Sequence, residues 1–171
     1  MIIGSGGAGK STLAREMGEI TGIPVCHLDA AYWNPGWVAT SEEEWDDTVK
    51  DLISADEWIL DGNYSRTLDV RAARADTIIF LDMPSWITVY RIVKRRIRYH
   101  GQTRPDLREG CTEKLDWEFV RWVWSYRNRR RPGIMDKLTA LSKEKRIIIL
   151  GSPKQVRQFV RQIRALSNNH T

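Results

Sequence analysis

The chain has 171 residues, of which 42% are apolar and 29% are charged. This balance is typical of a globular domain and excludes disordered and collagen-like proteins. No apolar run approaches the roughly 18 residues that a membrane-spanning helix needs. The first residues lack the pattern of a signal peptide, and the two cysteines, Cys26 and Cys111, have no disulfide or metal-ligand spacing. We therefore expect a soluble cytoplasmic protein of one domain, residues 1–171, without a membrane partner.

The net charge of +5 is concentrated in one basic segment. Residues 91–131 contain 13 Lys and Arg against 5 Asp and Glu, whereas the rest of the chain contains 14 against 17. A basic segment attracts either nucleic acid or the phosphates of a small ligand. Composition alone does not distinguish these two partners.

Short apolar runs alternate along the chain with segments of helical periodicity. The runs show little polar alternation, as expected for parallel strands buried on both faces. They predict strands at residues 1–3, 24–28, 58–60, 77–81 and 146–150. Strands that alternate with helices predict a three-layer α/β/α fold around a parallel sheet.

Between the strands, apolar residues recur at helical spacing and predict helices. Gly22 is expected to end the first helix, Ser41 and Glu44 form a capping box at the start of the second, and Ser85 caps the third. The residues predicted to face the core are Leu13, Met17 and Ile20 in the first helix, Trp45, Val49, Leu52 and Ile53 in the second, Trp86, Val89, Val93 and Ile97 in the third, Leu115, Phe119, Trp122 and Tyr126 in the fourth, and Val156, Phe159, Val160 and Ile163 in the last.

A glycine-rich segment follows the first strand. Gly4-Ser5-Gly6-Gly7-Ala8-Gly9-Lys10-Ser11, with Thr12 next, fits the Walker A pattern. Its glycines let several backbone N–H groups converge on one phosphate cluster, and the helix that begins at Ser11 directs its positive end to the same anion. Lys10 would approach the β- and γ-phosphates of ATP, and the Ser11 hydroxyl would hold Mg²⁺. The alternative is a glycine-rich turn that binds no ligand.

Several later segments resemble those of adenylate kinases. Residues 60–67, Leu-Asp-Gly-Asn-Tyr-Ser-Arg-Thr, resemble the strand end at which an acidic residue and a glycine precede an arginine. Residues 80–84 and 91–96 resemble the next strand, its helix and the entrance to the lid, and residues 150–154 resemble the base-binding loop. These motifs keep the order and spacing of that family over most of the chain.

The whole sequence is most similar to the small kinase-like DNA topology modulation proteins (FlaR-related). Their Asp-Gly-Asn-Tyr-Ser and Glu-Lys-Leu-Asp-Trp-Glu-Phe stretches are present at residues 61–65 and 113–119. The resemblance implies a P-loop NTPase fold that uses ATP and Mg²⁺. With right-handed crossovers, it also implies an adenylate-kinase-like sheet of five strands in the order 2-3-1-4-5.

The resemblance also implies roles for the residues that match family positions after the phosphate loop. Asp61 would hold a Mg²⁺-bound water, and its alternative is a solvent-facing turn carboxylate. Arg66 follows Asp61 at the position of the family's arginine and is a candidate catalytic residue.

Basic residues further along the chain would bind the nucleotide. Arg91, Arg95 and Arg98 share one helix face opposite the apolar stripe. By resemblance, Arg91 would pack on the ATP base and Arg95 would contact phosphate, whereas the alternative is a solvated basic face. Arg121 would complete the phosphate clamp. Gly151-Ser152-Pro153-Lys154 would contact the adenine through backbone groups.

Residues 99–114 are a candidate lid. The segment contains Gly101, Pro105 and Gly110 and few apolar residues, as a segment that opens and closes should. A lid excludes water, so that transfer to an acceptor is favoured over hydrolysis.

The acceptor side departs from the adenylate kinase pattern. Asp29 matches the acidic residue with which shikimate-kinase-like enzymes contact the acceptor hydroxyl, and we count it as catalytic. His27 stands where they usually carry a second carboxylate, and it is either hydrogen-bonded within the protein or a ligand. The aromatic residues of the 30–40 segment form either a stacking wall for a ring or a satellite core. The glutamine that reads the AMP base is absent, and Val70 stands near its expected position.

Three functions fit this sequence. An ATP-dependent kinase of a nucleotide-like or other small hydroxylated acceptor explains the phosphate loop, Asp61, the lid and the basic face together. An ATPase that binds and reshapes DNA would use Arg127 to Arg131 with the aromatic residues before them, although the sequence has no helix-turn-helix or zinc motif. The third function is an ATP sensor without turnover. We predict the kinase.

Overall fold

A computed structural model describes residues 1–99, 101, 106–112 and 116–168. The strands in these ranges are β1 (Ile2–Gly4), β2 (Val25–His27), β3 (Trp33–Asn34), β4 (Val38–Ala39), β5 (Ile59–Asp61), β6 (Thr77–Leu81) and β7 (Arg146–Leu150). The helices are α1 (Lys10–Thr21), α2 (Leu28–Tyr32), α3 (Glu42–Leu52), a 3-10 helix (Ser65–Thr67), α4 (Leu68–Arg74), α5 (Ser85–Arg98), α6 (Trp117–Arg129), α7 (Arg131–Leu141) and α8 (Pro153–Asn168).

Five of these strands form a parallel sheet in the order β2-β5-β1-β6-β7. Numbered along the chain, this is the predicted order 2-3-1-4-5, and the predicted α/β fold class is confirmed. Strand β1 lies at the centre, next to β5 and β6. The carboxyl ends of β1, β2 and β5 are therefore neighbours, at the edge where open α/β sheets bind ligands.

Helices cover both faces of the sheet. On one face, Leu13 of α1 and Val160 of α8 belong to the same buried cluster as Ile79 of β6. On the other face, α4, α6 and α7 pack around Ile78 and Phe80, which have no accessible surface. Because β6 is buried on both sides, its sequence shows no polar alternation. No helix within the described ranges combines the length and the apolar composition needed to cross a lipid bilayer.

Helix α3 covers a third cluster over strands β2 and β5. Its start agrees with the predicted cap at Ser41, because the Ser41 hydroxyl accepts a 3.3 Å hydrogen bond from the backbone N–H of Glu44. Trp45 and Val49 are buried in the same cluster as Leu60 of β5, and their spacing predicted that they face the core. Residues of a helix that are four apart lie on the same face, so this stripe covers the sheet at β5.

The apolar face of α5 points the other way from our prediction. Ser85 is the first residue of the helix and not its cap, and the buried residues are Thr88 and Ile92. Exposed residues are Trp86, Val93 and Ile97, at 66%, 39% and 75%. The cause is the phosphate loop, since a Cβ atom on Gly7 would collide with the backbone oxygen of Thr88 and lie 3.0 Å from Ile92. The helix therefore turns this face toward the loop backbone and leaves its apolar stripe outside.

The predicted end of β2 shifts by one residue. Strand β2 ends at His27, so Asp29 lies in α2 and does not end the strand. The side chain of Leu28, the first residue of α2, is buried in the cluster that α3 covers. Helix α6 begins at Trp117, and the predicted core residue Leu115 lies outside the described residues.

Several elements of the described ranges have no counterpart among the predicted ones. Strands β3 and β4 form a short antiparallel hairpin inside the aromatic 30–40 segment. Helix α4 follows the 3-10 helix, and α7 follows α6 almost directly. The start of α7 carries a detectable signal, because Pro132 occupies its first turn, a position that favours proline.

Candidate active site

The phosphate loop connects β1 to α1 through a backbone that only glycine adopts easily. Gly7 and Gly9 have φ angles of 73° and 101°, in the left-handed region. The N–H of Ala8 donates to the carbonyl of Ser5 at 3.1 Å, and Gly9 is the N-cap of α1. The first N–H groups of α1 are thus directed into the loop, which is an anion-binding arrangement.

Lys10 is the cation of this loop. Its half-buried side chain folds back, and Nζ donates to the carbonyl oxygens of Gly4 at 3.0 Å and Ser5 at 3.1 Å. Burial lowers the pKa of Lys10, whereas the negative charges of Asp29 and Asp61 raise it. Both carboxylates act on the same ammonium group, so the ends of β1, β2 and β5 meet at one site.

Asp61 is the buried carboxylate of the site, with 4% of its surface exposed. The Ser11 hydroxyl donates to its Oδ2 at 2.8 Å, which brings together the two residues predicted to serve Mg²⁺. The Nδ1 of His27 is hydrogen-bonded to its Oδ1, and this bond raises the pKa of His27. His27 therefore has the first of its two alternative roles, a hydrogen bond within the protein.

Ser11 and Asp61 suit a magnesium ion chemically. Mg²⁺ prefers oxygen ligands and retains several of its waters when it binds beside phosphates. Within the described ranges, no group of three or more His, Cys, Asp or Glu side chains could hold a metal ion. The two residues would therefore hold Mg²⁺ jointly with water and the phosphates of ATP.

Asp29 is oriented by a residue that sequence analysis did not single out. The Tyr64 hydroxyl donates to Asp29 Oδ1 at 2.8 Å. Burial and the charge of Asp29 raise the pKa of Tyr64, so the hydroxyl keeps its proton at neutral pH. The signal in the sequence is the Asn-Tyr pair directly after Asp61 and Gly62, which belongs to the family motif at residues 61–65.

Most aromatic rings near Asp29 are part of a satellite core. The rings of Tyr32, Trp45 and Tyr64 pack on one another with centroids 4.7–5.0 Å apart. Trp33 packs on Tyr32 at 4.9 Å and on Trp37 at 5.5 Å, so the ring contacts continue into the hairpin. Because the rings of Tyr32, Trp45 and Tyr64 cover one another, they do not form an open stacking wall. Their packing holds Tyr64, whose hydroxyl positions Asp29.

Arg71 holds the loop between Asp61 and α4 from inside the protein. It has no accessible surface, and Nη2 donates to the carbonyl oxygens of Asn63 at 2.6 Å and Tyr64 at 3.0 Å. Further bonds reach Gly62 and Thr67. Burial lowers its pKa to about 10. This buried arginine was not predictable, because most of its partners are backbone carbonyl groups, which have no sequence signature.

We expect Arg71→Met to lower the free energy of unfolding by about 3–5 kcal/mol, because several buried carbonyl groups lose their donor at once. Urea denaturation followed by circular dichroism measures this loss. Arg161→Met on the exposed side of α8 is the matched control, with an expected change below about 1 kcal/mol. Equal losses in the two variants would show that the loop does not depend on Arg71.

The basic face of α5 meets the phosphate loop. Arg91 is half-buried, and its Nη1 donates to the carbonyl oxygen of Ala8 at 2.8 Å. Arg95 is also half-buried, and its charge contributes to lowering the pKa of Lys10. Arg98, one turn further, is exposed. Two of the three arginines therefore face the loop and are not part of a solvated surface.

Arg66 and Arg121 lie elsewhere in the structure. Arg66 is half-exposed and pairs with Asp46 at 2.8 Å and Glu42 at 2.6 Å on α3. Arg121 is exposed on α6. The catalytic roles of both residues stay predictions, and for Arg66 such a role requires the guanidinium to leave α3.

Helix α6 touches the phosphate loop through apolar residues. A Cβ atom on Gly6 would lie 2.7 Å from Phe119 Cζ and 3.1 Å from Val123. The loop is thus packed by α6 at Gly6 and by α5 at Gly7. Tight packing of this kind limits the conformations of the loop backbone.

The predicted base-binding loop joins β7 to α8 at the same edge of the sheet. The N–H of Gly151 donates to Gln155 Oε1 at 2.7 Å, and the Ser152 hydroxyl accepts from the N–H of Gln155. Pro153 is the first residue of α8. The loop is therefore hydrogen-bonded as the N-terminus of α8. The adenine contact of residues 151–154 stays a prediction.

The candidate lid, residues 99–114, is described in part, because residues 100, 102–105 and 113–114 lie outside the described ranges. Asp106 lies in its described part and was not singled out from the sequence. Its negative charge raises the pKa of both Lys10 and His27, so its charge acts on the site.

The second half of the candidate lid is hydrogen-bonded to the β3–β4 hairpin. Trp37 Nε1 donates to the carbonyl oxygen of Thr112 at 2.9 Å, and Arg108 Nη1 donates to Asn34 Oδ1 at 2.6 Å. These bonds join the lid segment to the elements that follow Asp29.

Comparison with known proteins identifies the fold. No protein-family profile matches the chain, and no significant match exists among curated proteins. The structure is similar to that of shikimate kinase from Acinetobacter baumannii in complex with shikimate, at 16% identity over 99% of this chain and 92% of that chain, with a TM-score of 0.54. It is also similar to shikimate kinase from Bacteroides thetaiotaomicron, at 18% identity over 96% of both chains, with a TM-score of 0.56. These comparisons do not support the resemblance to topology modulation proteins. The chain has the P-loop kinase-like fold.

Proposed function

We propose that this chain is an ATP-dependent phosphotransferase that acts on the hydroxyl group of a small molecule. One observation carries the proposal: Lys10 and the hydrogen-bonded pair Ser11–Asp61 share a site with a second carboxylate, Asp29. The first three residues provide what the phosphates of ATP and Mg²⁺ require. Asp29 provides what an acceptor hydroxyl requires.

In the proposed reaction, the acceptor oxygen attacks the γ-phosphorus of ATP. The bond from that phosphorus to the oxygen bridging the β- and γ-phosphates breaks, ADP leaves, and the hydroxyl proton passes to Asp29. Tyr64 holds Oδ1 of Asp29, and we assign Oδ2 to the acceptor. Lys10, Arg91 and Arg95 stabilise negative charge on the phosphates, and Mg²⁺ when bound adds to the same stabilisation.

The acceptor site differs from one that reads AMP. Val70, near the position where adenylate kinases carry a glutamine, is 44% exposed on α4. A site without the matching polar group discriminates against a base through unpaired hydrogen-bonding groups. We expect AMP to be a poor acceptor, and a coupled ADP-release assay with AMP measures this directly. Turnover equal to that of an ordinary adenylate kinase would contradict the proposed pocket.

The test of the proposed function is an ATP-consumption screen against nucleosides, nucleotides and small hydroxylated metabolites. We expect at least one acceptor to raise ADP production well above the rate with ATP alone, with a phosphorylated product detectable by mass spectrometry. ATP binding without turnover on any acceptor would favour the sensor function.

A second candidate, an ATPase that binds DNA, has one observation in its favour. Trp124 is 59% exposed on α6, near the basic residues 127–131. Other parts of that region are engaged within the protein, because Tyr126 is 6% exposed and Arg131 pairs with Asp82 at 2.8 Å. A salt titration of duplex DNA binding separates the two functions, since micromolar affinity with a steep salt dependence would favour DNA binding.

A further inference from the structure

The loop between β5 and the 3-10 helix touches the phosphate loop through one side chain. The Nδ2 of Asn63 donates to the carbonyl oxygen of Gly4 at 2.7 Å, and the N–H of Gly4 donates to Asn63 Oδ1 at 3.0 Å. The side-chain amide of Asn63 thus bonds both the N–H and the carbonyl oxygen of Gly4. Two bonds from one amide restrict the orientation of the Gly4 backbone more than one bond would.

Gly4 is also a partner of the catalytic cation. Its carbonyl oxygen accepts the 3.0 Å bond from Lys10 Nζ. On its other side, Gly4 lies tightly on β6, because a Cβ atom there would be 2.7 Å from the carbonyl oxygen of Leu81. Asn63 therefore holds the atom that receives Lys10, at the point where the phosphate loop leaves the sheet.

The next residue reaches the acceptor side. Tyr64 donates to Asp29, as described above, from a left-handed backbone conformation with φ of 30°. Non-glycine residues adopt this region only when their surroundings hold them there. Arg71 provides that hold by donating to the carbonyl oxygens of both Asn63 and Tyr64.

We propose that Asn63 is a positioning residue that sets the phosphate loop, through Gly4, at a fixed distance from Asp29. Asn63 and Tyr64 are adjacent, and Arg71 holds both, so the two contacts cannot move independently. This inference rests on the proposed function, since it assigns Gly4 and Lys10 to the ATP side and Asp29 to the acceptor side. Asn63 acts through Gly4 and Lys10 and is not itself a catalytic residue.

The test compares Asn63→Ala with Asn168→Ala, an exposed asparagine at the end of α8. Two quantities are measured on the full chain: the dissociation constant of Mg-ATP by calorimetry, and hydrogen exchange of the Gly4 amide by NMR. We expect Asn63→Ala to weaken Mg-ATP binding by about tenfold or more and to accelerate exchange at Gly4, because misplacement of a binding group by about 1 Å has effects of this size. The control variant Asn168→Ala keeps both quantities at their original values.

The variant Asn63→Asp separates positioning from folding. It keeps an oxygen for the Gly4 N–H but loses the donor to the Gly4 carbonyl. We expect slow exchange at Gly4 together with weakened Mg-ATP binding, a combination that a merely destabilised protein does not show. If Asn63→Ala fails to fold, this variant decides the matter.

Unchanged Mg-ATP affinity and unchanged Gly4 exchange in both Asn63 variants would overturn the inference. Failure of the proposed function has a different signature. In that case the original chain binds no Mg-ATP or transfers phosphate to no acceptor, while accelerated Gly4 exchange in Asn63→Ala still reports whether Asn63 holds the loop.

Discussion

The substitution Lys10→Ala is expected to reduce ATP-dependent phosphoryl transfer by about 10²–10³-fold, the usual effect of removing an electrostatic contact to the transition state. In the proposed reaction, the Lys10 ammonium meets the developing negative charge on the phosphates. Its hydrogen bonds in the structure go to two backbone carbonyls of the same loop. Steady-state kinetics with the best acceptor from the screen measure the loss.

The fold is expected to survive this substitution, because the Lys10 side chain is half-buried and does not belong to the apolar clusters of the core. Lys50→Ala is the matched control, since Lys50 is exposed on α3 and pairs with Asp47. Thermal unfolding of both variants should remain close to that of the original chain. Undiminished turnover of Lys10→Ala would refute the role assigned to this residue.

Asp29→Asn is expected to lower phosphoryl transfer by about 10²-fold or more, as losses of a general base often do. Asparagine retains the size and an oxygen that accepts the Tyr64 hydrogen bond, but it loses the charge and the basicity. ATP affinity is expected to stay within about threefold, because Asp29 is assigned to the acceptor. Single-turnover kinetics together with calorimetry distinguish the two quantities.

Tyr64→Phe serves as the partner of this experiment. It removes the hydrogen bond to Asp29 and keeps the ring within the cluster of Tyr32 and Trp45. We expect a smaller loss of transfer than in Asp29→Asn, because the base remains but is less well oriented. If transfer survives in Asp29→Asn while ATP binding fails, Asp29 belongs to the metal side. If transfer and ATP binding both survive, Asp29 has a structural role.

The apolar runs were sufficient to locate the five main strands, and the glycine spacing around Lys10 located the turn between β1 and α1. The order of the strands followed from the family resemblance together with right-handed crossovers. The orientation of α5 was predicted wrongly for a physical reason. Periodicity locates an apolar stripe, but it does not reveal that Thr88 and Ile92 lie against Gly7. Those two residues face the loop, whereas the larger Trp86 and Ile97 are exposed.

Within the candidate site, the predictable residues were those whose own chemistry suggests a role. The residues that hold them were not predictable in this way. Asn63 and Arg71 bond to backbone atoms, and any residue type supplies a backbone carbonyl, so no spacing rule marks the pair. Tyr64 depends on a turn that brings it to Asp29, which stands 35 residues earlier in the chain.

The helices before and after the candidate lid both pack on the phosphate loop. Helix α5 ends where the segment begins and packs at Gly7, whereas α6 follows the segment and packs at Gly6. The two contacts are made at adjacent residues, Gly6 and Gly7. A larger side chain at either position would displace the helix that packs there. Because both helices contact the same stretch of backbone, a substitution that shifts this backbone disturbs the packing of both helices at once.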